Sequence, residues 1–238
     1  RAQSIEPGKR PKISINEKDM LEADLVVLAS GVNSRNPLDP TWQYEAPRTE
    51  AMAQDEIPVT NDLLDSSVHI FFDYPAGLIF GCLIPKGRYA NVSLLGHGLG
   101  PGSVAEFLQG HALDTPLIPG MSLLCGCAPR VAVSPAKGYF ADRMVAVGDA
   151  AVTRLYKDGI GAAFRTGKAA ATAAVFHGVS RASFARHFWP ACRTIARDNA
   201  VGRVMFATNA IMKNSRITRR AMLRMAQREQ AREGARPH

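Results

Sequence analysis

The run Val145-Ala146-Val147-Gly148-Asp149-Ala150-Ala151, followed eight residues on by Gly159-Ile160-Gly161, decides how the rest of the chain is read. Met144 to Val147 is a short continuous apolar run, as expected of a strand buried on both faces in a parallel sheet. From Gly159 to Phe176 the chain is rich in Gly and Ala with helical spacing, which predicts a helix able to approach a sheet closely. A carboxylate just past the carboxyl end of a parallel strand stands where open α/β sheets bind ligands. There it can accept hydrogen bonds from sugar-like hydroxyls, while the following helix start offers the positive end of its dipole to an electron-rich ligand edge. That combination suits a flavin, with its ribityl chain and an electron-rich pyrimidine edge. The alternative is that Asp149 caps a turn.

Working outward, residues 12–16 (KISIN) and 24–29 (DLVVLA) read as strands, the second again continuous and apolar and ending in Ser30-Gly31. From Asn36-Pro37 to Asp55 the composition is that of a polar linker. Strand signals then recur at Ile57–Thr60, Val68–Asp73, Leu78–Ile84 and Ala90–Leu95, joined by Pro75-Ala76-Gly77 and Pro85-Lys86-Gly87, which predicts an antiparallel meander. Ser103 and Glu106 have capping-box spacing for a helix to about Gly110. From Ser183 onward the spacing is helical, with Phe184, Phe188, Cys192 and Ile195 on one face; then Val201, Val204, Met205 and Ile211; then Met222, Leu223 and Met225. Pro190 must kink or restart the first of these helices.

These three stretches together resemble the FAD-dependent group that includes geranylgeranyl reductases and aromatic-ring hydroxylases related to p-hydroxybenzoate hydroxylase. VAVGDAA with DGIGAAFRTGKAAATAA looks like that group's Gly-Asp motif, ADLVVLASGVNS like its second signature, and FGCLIPKGRYANVS like the reductases' substrate-sheet motif. Order and spacing agree over about residues 12–178. The resemblance implies a mixed α/β fold: the end of a Rossmann-like FAD-binding domain (1–36 and 120–178), an inserted antiparallel substrate-binding sheet (37–119) and a basic helical tail (179–238). It implies that Gly148, Asp149, Gly159, Ile160, Gly161 and, on the pyrophosphate side, Gly31 bind FAD. Pro85, Lys86, Asn91 and Val92 match the substrate motif, whereas Phe80, Cys82 and Ile84 replace its aromatic residues. Phe80, Cys82, Ile84 and Pro85 are therefore the expected pocket for a lipid or other apolar small molecule. Ser30 stands where the second signature has Asp, and Arg154 and Lys157 hold places usually taken by Pro and Gly. A cation there would stabilise an anionic reduced flavin or a charged substrate, or else face solvent.

The implied activity is reduction of carbon–carbon double bonds in an isoprenoid or prenyl lipid, with NAD(P)H or a ferredoxin-type protein as electron donor. The alternatives are a flavin-dependent monooxygenase of the same fold, or a non-catalytic lipid- or partner-binding protein on a decayed flavoprotein scaffold. The group's first motif, G-x-G-x-x-G, is absent, and the chain opens at Arg1 without Met directly into strand-like sequence. We therefore expect these residues to be the C-terminal portion of a longer protein, and the portion alone to be inactive, poorly soluble and flavin-free. Gly96-His97-Gly98-Leu99-Gly100-Pro101-Gly102 is a decoy for that motif, because Pro101 and Ser103 occupy the sixth position in its two registers.

Composition narrows the field further. Of the net charge of +8, residues 181–238 carry 13 Lys and Arg against Asp198, Glu229 and Glu233, leaving 16 basic and 18 acidic residues in the first 180. Such a tail reads as a solvated helix face or as attraction to an anionic membrane surface. No zinc-finger, RNP-like or helix-turn-helix signature accompanies it, so nucleic acid is not expected. Four cysteines are too few for a disulfide scaffold, and neither they nor the six histidines show metal-site spacing, so no metal is expected; Cys125-x-Cys127 reads as buried packing. No apolar run reaches the roughly 18 residues that span a bilayer. A cytoplasmic protein, peripheral on the inner face of the membrane through its tail, is the expectation.

Overall fold

The structure is a computed structural model that describes residues 2–16, 19–32, 36–58, 67–72, 77–100, 102–111, 129–156, 159–212 and 215–230. In chain order the strands are β1 (Ser4–Glu6), β2 (Lys12–Ser14), β3 (Met20–Glu22), β4 (Val26–Leu28), β5 (Thr49–Pro58), β6 (His69–Phe71), β7 (Leu78–Lys86), β8 (Tyr89–Gly96), β9 (Arg130–Ala132), β10 (Phe140–Ala141) and β11 (Met144–Ala146). The helices are α1 (Ser103–Gly110), α2 (Gly159–His177), α3 (Arg181–His187), α4 (Trp189–Met212) and α5 (Arg216–Gln230). The result is mixed α/β, and the chain divides into two compact units: Arg1–Met52 with Ala128–Val201, and Ala53–Cys127 with Gly202–His238.

The first unit is built around the parallel pair the sequence predicts. Met144, Val145 and Ala146 of β11 lie opposite Val26, Val27 and Leu28 of β4, and β10 extends the sheet antiparallel on the other side. Strand alternation then divides these side chains between two faces. Val26, Leu28, Met144 and Ala146 pack with Ile5, Leu38, Trp42, Ala150 and Ala151. Val145 packs on the opposite face with Ala162, Ala170 and Ala173 of α2, Phe184 of α3, Phe188, and Cys192 and Ile195 of α4. A separate antiparallel sheet, β1-β2-β3, lies in the same unit. Val27 departs from the expectation of a fully buried strand: it is 51% exposed, because β4 forms the margin of its sheet and the cover over Val145 does not reach it.

The second unit contains the meander. β7 pairs antiparallel with β6 and β8, with an irregularity between Leu78 and Phe80. Leu78, Leu83, Ala90, Val92 and Leu94 pack against Val104, Phe107 and Leu108 of α1 to form its core, with Ala53 and Ile57 of β5. The strand β5 begins at Thr49, inside the stretch whose composition reads as linker; its alternation of Ala53, Asp55 and Ile57 as buried positions is what the polar composition hides. α1 spans the predicted residues, but not through a capping box. Its N-cap is Gly102 without a side-chain cap, and the Ser103 hydroxyl instead accepts from the Gly100 N–H at 3.0 Å. Of the decoy motif's glycines, Gly96 has a packing reason, since a Cβ there would fall 2.5 Å from the Gly77 carbonyl oxygen.

The apolar face of Phe184, Phe188, Cys192 and Ile195 is buried as read, and the chain restarts at Trp189 with Pro190 in the first turn of α4, where a missing N–H costs nothing. In the later helical stretches Val201, Val204, Met205, Ile211, Leu223 and Met225 are exposed. No helix among the described residues is long and apolar enough to cross a membrane. Cys125 and Cys127 lie outside the described residues.

Candidate functional site

Past Ala146, the chain turns through a 3-10 segment, Gly148–Ala150. Gly148 has φ +59°, and a Cβ there would meet the Ala163 Cβ at 3.1 Å, so both backbone conformation and closeness to α2 require glycine. Its N–H donates to Thr166 Oγ1 at 2.9 Å, and that hydroxyl donates to the Ala162 carbonyl at 2.8 Å. The small buried face of α2, Ala162, Thr166, Ala170 and Ala173, is thus what lets the helix sit against the strand end. On the other side, Tyr44 Oη donates to the Ala150 carbonyl at 2.7 Å and the Ala136 N–H to Ala151 O at 2.7 Å. With the turn's backbone held from both sides, the Asp149 side chain takes no part in capping it.

Asp149 instead lines a cavity of about 200 Å³ together with Val131 and Ala132 of β9, Thr153, Arg154, Tyr156 and Gly159. Asp149 Oδ1 is buried and has no hydrogen-bond partner among the described residues; Thr153 Oγ1, on a residue only 8% exposed, is in the same condition. Both face the start of α2, because a Cβ on Gly159 would lie 3.6 Å from Asp149 Oδ1 and 3.9 Å from Thr153 Oγ1. Buried polar atoms left without partners cost about 1–3 kcal/mol each, so two of them converging on one cavity mark a place shaped for a polar ligand. The cavity offers a carboxylate and a hydroxyl as acceptors, a guanidinium as donor, and the positive end of the α2 dipole. At this volume it takes one portion of a cofactor-sized ligand, whose whole pocket runs to about 300–1,000 Å³.

Arg154 does not simply face solvent. It lines the cavity, and its Nε lies 3.7 Å from Asp198 Oδ2 of α4. The next residue of α4 holds the same loop. Buried Asn199 accepts from the Leu155 N–H at 2.7 Å and donates to the Thr153 carbonyl at 2.8 Å, so its amide takes the place of a β-bridge partner. Tyr156, at φ +59°, donates to Glu50 Oε2 of β5 at 3.0 Å. Neither Asn199 nor Thr153 stands out in a motif reading. The available signal was an Asn at the next position of the stripe Cys192, Ile195, where an apolar residue belongs.

Of the other predicted site residues, Gly31 (φ +69°) lies just beyond β4, as Asp149 lies beyond β11, so the two motifs end side by side on adjacent parallel strands, tied by Val147 N–H to Leu28 O at 3.0 Å. Ile160 and Gly161 occupy the first turn of α2, with Ile160 89% exposed. Phe80, Cys82 and Ile84 share one half-buried face of β7, while alternation puts Pro85 on the face that carries Leu83. Burial raises the Cys82 thiol above its ordinary range. Tyr139 is away from the cavity, packed with Phe140, Phe188 and Cys192, and burial pushes its phenol and the Cys192 thiol each up to about 12, which removes both as acid–base groups. Lys157 lies outside the described residues. No cluster of three or more His, Cys, Asp or Glu among the described residues could hold a metal ion.

Neither a protein-family model nor a curated protein matches the sequence. Solved structures do. A tetracycline destructase superposes with TM-score 0.61 at 12% identity, covering 87% of this chain and 60% of its own length. A geranylgeranyl bacteriochlorophyll reductase-like protein from Thermoplasma acidophilum gives TM-score 0.61 at 16% identity, covering 87% and 56%. The rebeccamycin biosynthetic enzyme RebC, solved with reduced flavin, gives 0.55 at 16% identity, covering 87% and 43%. The fold is that of FAD-dependent flavoproteins. This chain spans somewhat over half the length of the first two flavoprotein structures.

Proposed function

We propose that this chain holds part of FAD and presents the substrate sheet in a flavin-dependent oxidoreductase that reduces carbon–carbon double bonds of an isoprenoid or prenyl lipid. The observation that carries the reading is the buried Asp149 Oδ1, without a hydrogen-bond partner among the described residues, past the carboxyl end of a parallel strand and facing the start of α2. The residues present fit the group. Asp149 and Thr153 would accept hydroxyl hydrogen bonds from the ribityl chain, Gly159 leaves room for close approach, and Arg154 with the α2 N-terminus favours an electron-rich edge. Gly31, Ile160 and Gly161 would complete the cofactor contacts. Bound FAD would supply hydride chemistry, replenished by NAD(P)H or a ferredoxin-type donor. The chain's own share is to fix the ligand and keep water away; the half-buried apolar face of Phe80, Cys82 and Ile84 suits a lipid or other apolar substrate.

The test is flavin content and affinity in protein expressed from its whole reading frame. Asp149→Ala is expected to weaken FAD binding at least tenfold, while the apo protein keeps its stability, because the buried Oδ1 it loses has no hydrogen-bond partner among the described residues. Protein that takes up no flavin would overturn the reading and favour a non-catalytic binding role, and so would flavin affinity indifferent to Asp149. Anaerobic double-bond reduction separates the reductase from a monooxygenase of the same fold, which would show substrate-stimulated oxygen uptake.

A further inference from the structure

From Asn199 to Arg228 the chain has no Asp or Glu, against Arg203, Lys213, Arg216, Arg219, Arg220, Arg224 and Arg228. Five of these arginines lie on α5, whose start is tied to the end of α4: the Ser215 N–H donates to Met212 O at 3.3 Å, and the Thr218 hydroxyl bonds Met212 O and Ser215 O. At 100° per residue, Thr218 and Met222 fall on one side of α5, and these are its half-buried positions. The opposite side carries Arg216, Arg220 and Arg224 as an i, i+4, i+8 stripe, flanked by Ile217 (81% exposed) and Leu223 (60%). The last turns of α4 expose Val204, Met205 and Ile211 as well.

We propose that this face of α5 docks on the surface of an anionic bilayer, with the arginines on lipid phosphates and Ile217 and Leu223 seated shallowly among the headgroups. Charge and apolarity on one face together select this occupant. A second copy of this face would bring arginine against arginine, and the run from Asn199 to Arg228 supplies no Asp or Glu to offset it. A nucleic-acid backbone would satisfy the arginines and leave Ile217 and Leu223 facing water. Docking of this kind is reversible and independent of flavin, so it stands or falls separately from the proposed reaction.

Co-sedimentation with vesicles of phosphatidylcholine and about 30% phosphatidylglycerol tests it, with pure phosphatidylcholine vesicles as reference. Each well-placed arginine contributes about fivefold in affinity, so the triple variant Arg216→Gln, Arg220→Gln, Arg224→Gln should bind on the order of a hundredfold more weakly. Raising salt from 0.1 to 1 M, which shortens the screening length from about 10 to about 3 Å, should release the wild-type chain. Ile217→Ser with Leu223→Ser should weaken binding without altering its salt dependence. A control of equal charge, Arg165→Gln, Lys168→Gln, Arg186→Gln on α2 and α3, should bind as wild type. Since all these side chains are exposed, circular dichroism should be unchanged throughout. The proposal is overturned by absence of binding to the anionic vesicles, by equal binding to neutral ones, by a triple variant that binds as wild type, or by tighter binding to duplex DNA at the same salt.

Discussion

Replacing Gly148 by alanine tests how the site is built, and two costs can be worked out from the structure. The residue sits at φ +59°, where an L side chain is disfavoured by roughly 1–2 kcal/mol. The new methyl would also stand 3.1 Å from Ala163 Cβ on α2. That helix cannot easily retreat, because its own Ala162, Thr166, Ala170 and Ala173 are buried in the unit's core, and overpacking of this kind costs typically about 1–3 kcal/mol. The total expected is about 2–5 kcal/mol. Gly31→Ala is the reference: φ is +69° and no atom of the described residues lies within 4 Å of a Cβ placed there, so it should cost the backbone part alone, about 1–2 kcal/mol. Urea unfolding followed by tryptophan fluorescence suits the measurement, since both tryptophans, Trp42 and Trp189, belong to the unit that contains Gly148. A lower midpoint with unchanged slope reports stability directly. Adding Ala163→Gly to Gly148→Ala should show a favourable coupling of about 1–3 kcal/mol, the contact part of the loss. If Gly148→Ala costs no more than Gly31→Ala, the close approach of α2 to the strand end is not what the glycine serves, and the reasoning fails.

Asn199→Ala should cost about 2–4 kcal/mol, because the Leu155 N–H and Thr153 carbonyl lose their buried partner; the same urea titration checks it, and a loss below about 1 kcal/mol would show the loop holding itself. FAD affinity should fall in that variant too, although Asn199 does not line the cavity. The rings of His177 and His187 stack at 3.6 Å, and desolvation, then the nearby charges of His177 and Arg186, hold the His187 pKa below 6.5. The unfolded chain therefore binds more protons as pH drops below that value, so stability should decline from pH 7.5 to 5.5. His187→Gln should flatten the decline, and an unchanged pH slope would rule out the pair as its source.

The two strands β4 and β11, the α2 span and the strands β6, β7 and β8 of the meander were legible because each rests on local pattern. A continuous apolar run such as Met144–Val147 can only be satisfied by burial on both sides, and a Gly- and Ala-rich helix only pays off by close packing. The buried face of Phe184, Phe188, Cys192 and Ile195 follows from 3.6-residue spacing in the same way. Where composition misled, the reason is also physical: β5 alternates buried Ala53, Asp55 and Ile57 within polar sequence, so an average over the stretch reads as linker.

The sequence alone thus determined which residues are small, charged or apolar and at what period, and hence that Asp149 follows a buried strand and precedes a helix. Only the tertiary structure decided that its buried Oδ1 has no hydrogen-bond partner among the described residues, that Thr153 and Arg154 share its cavity, and that Asn199, 46 residues beyond Thr153, clamps the loop between them. Hydrogen bonds at that separation have no periodic signature. They exist because chain closure brings α4 against the loop, and burial then makes each unpaired backbone group costly enough to demand a partner.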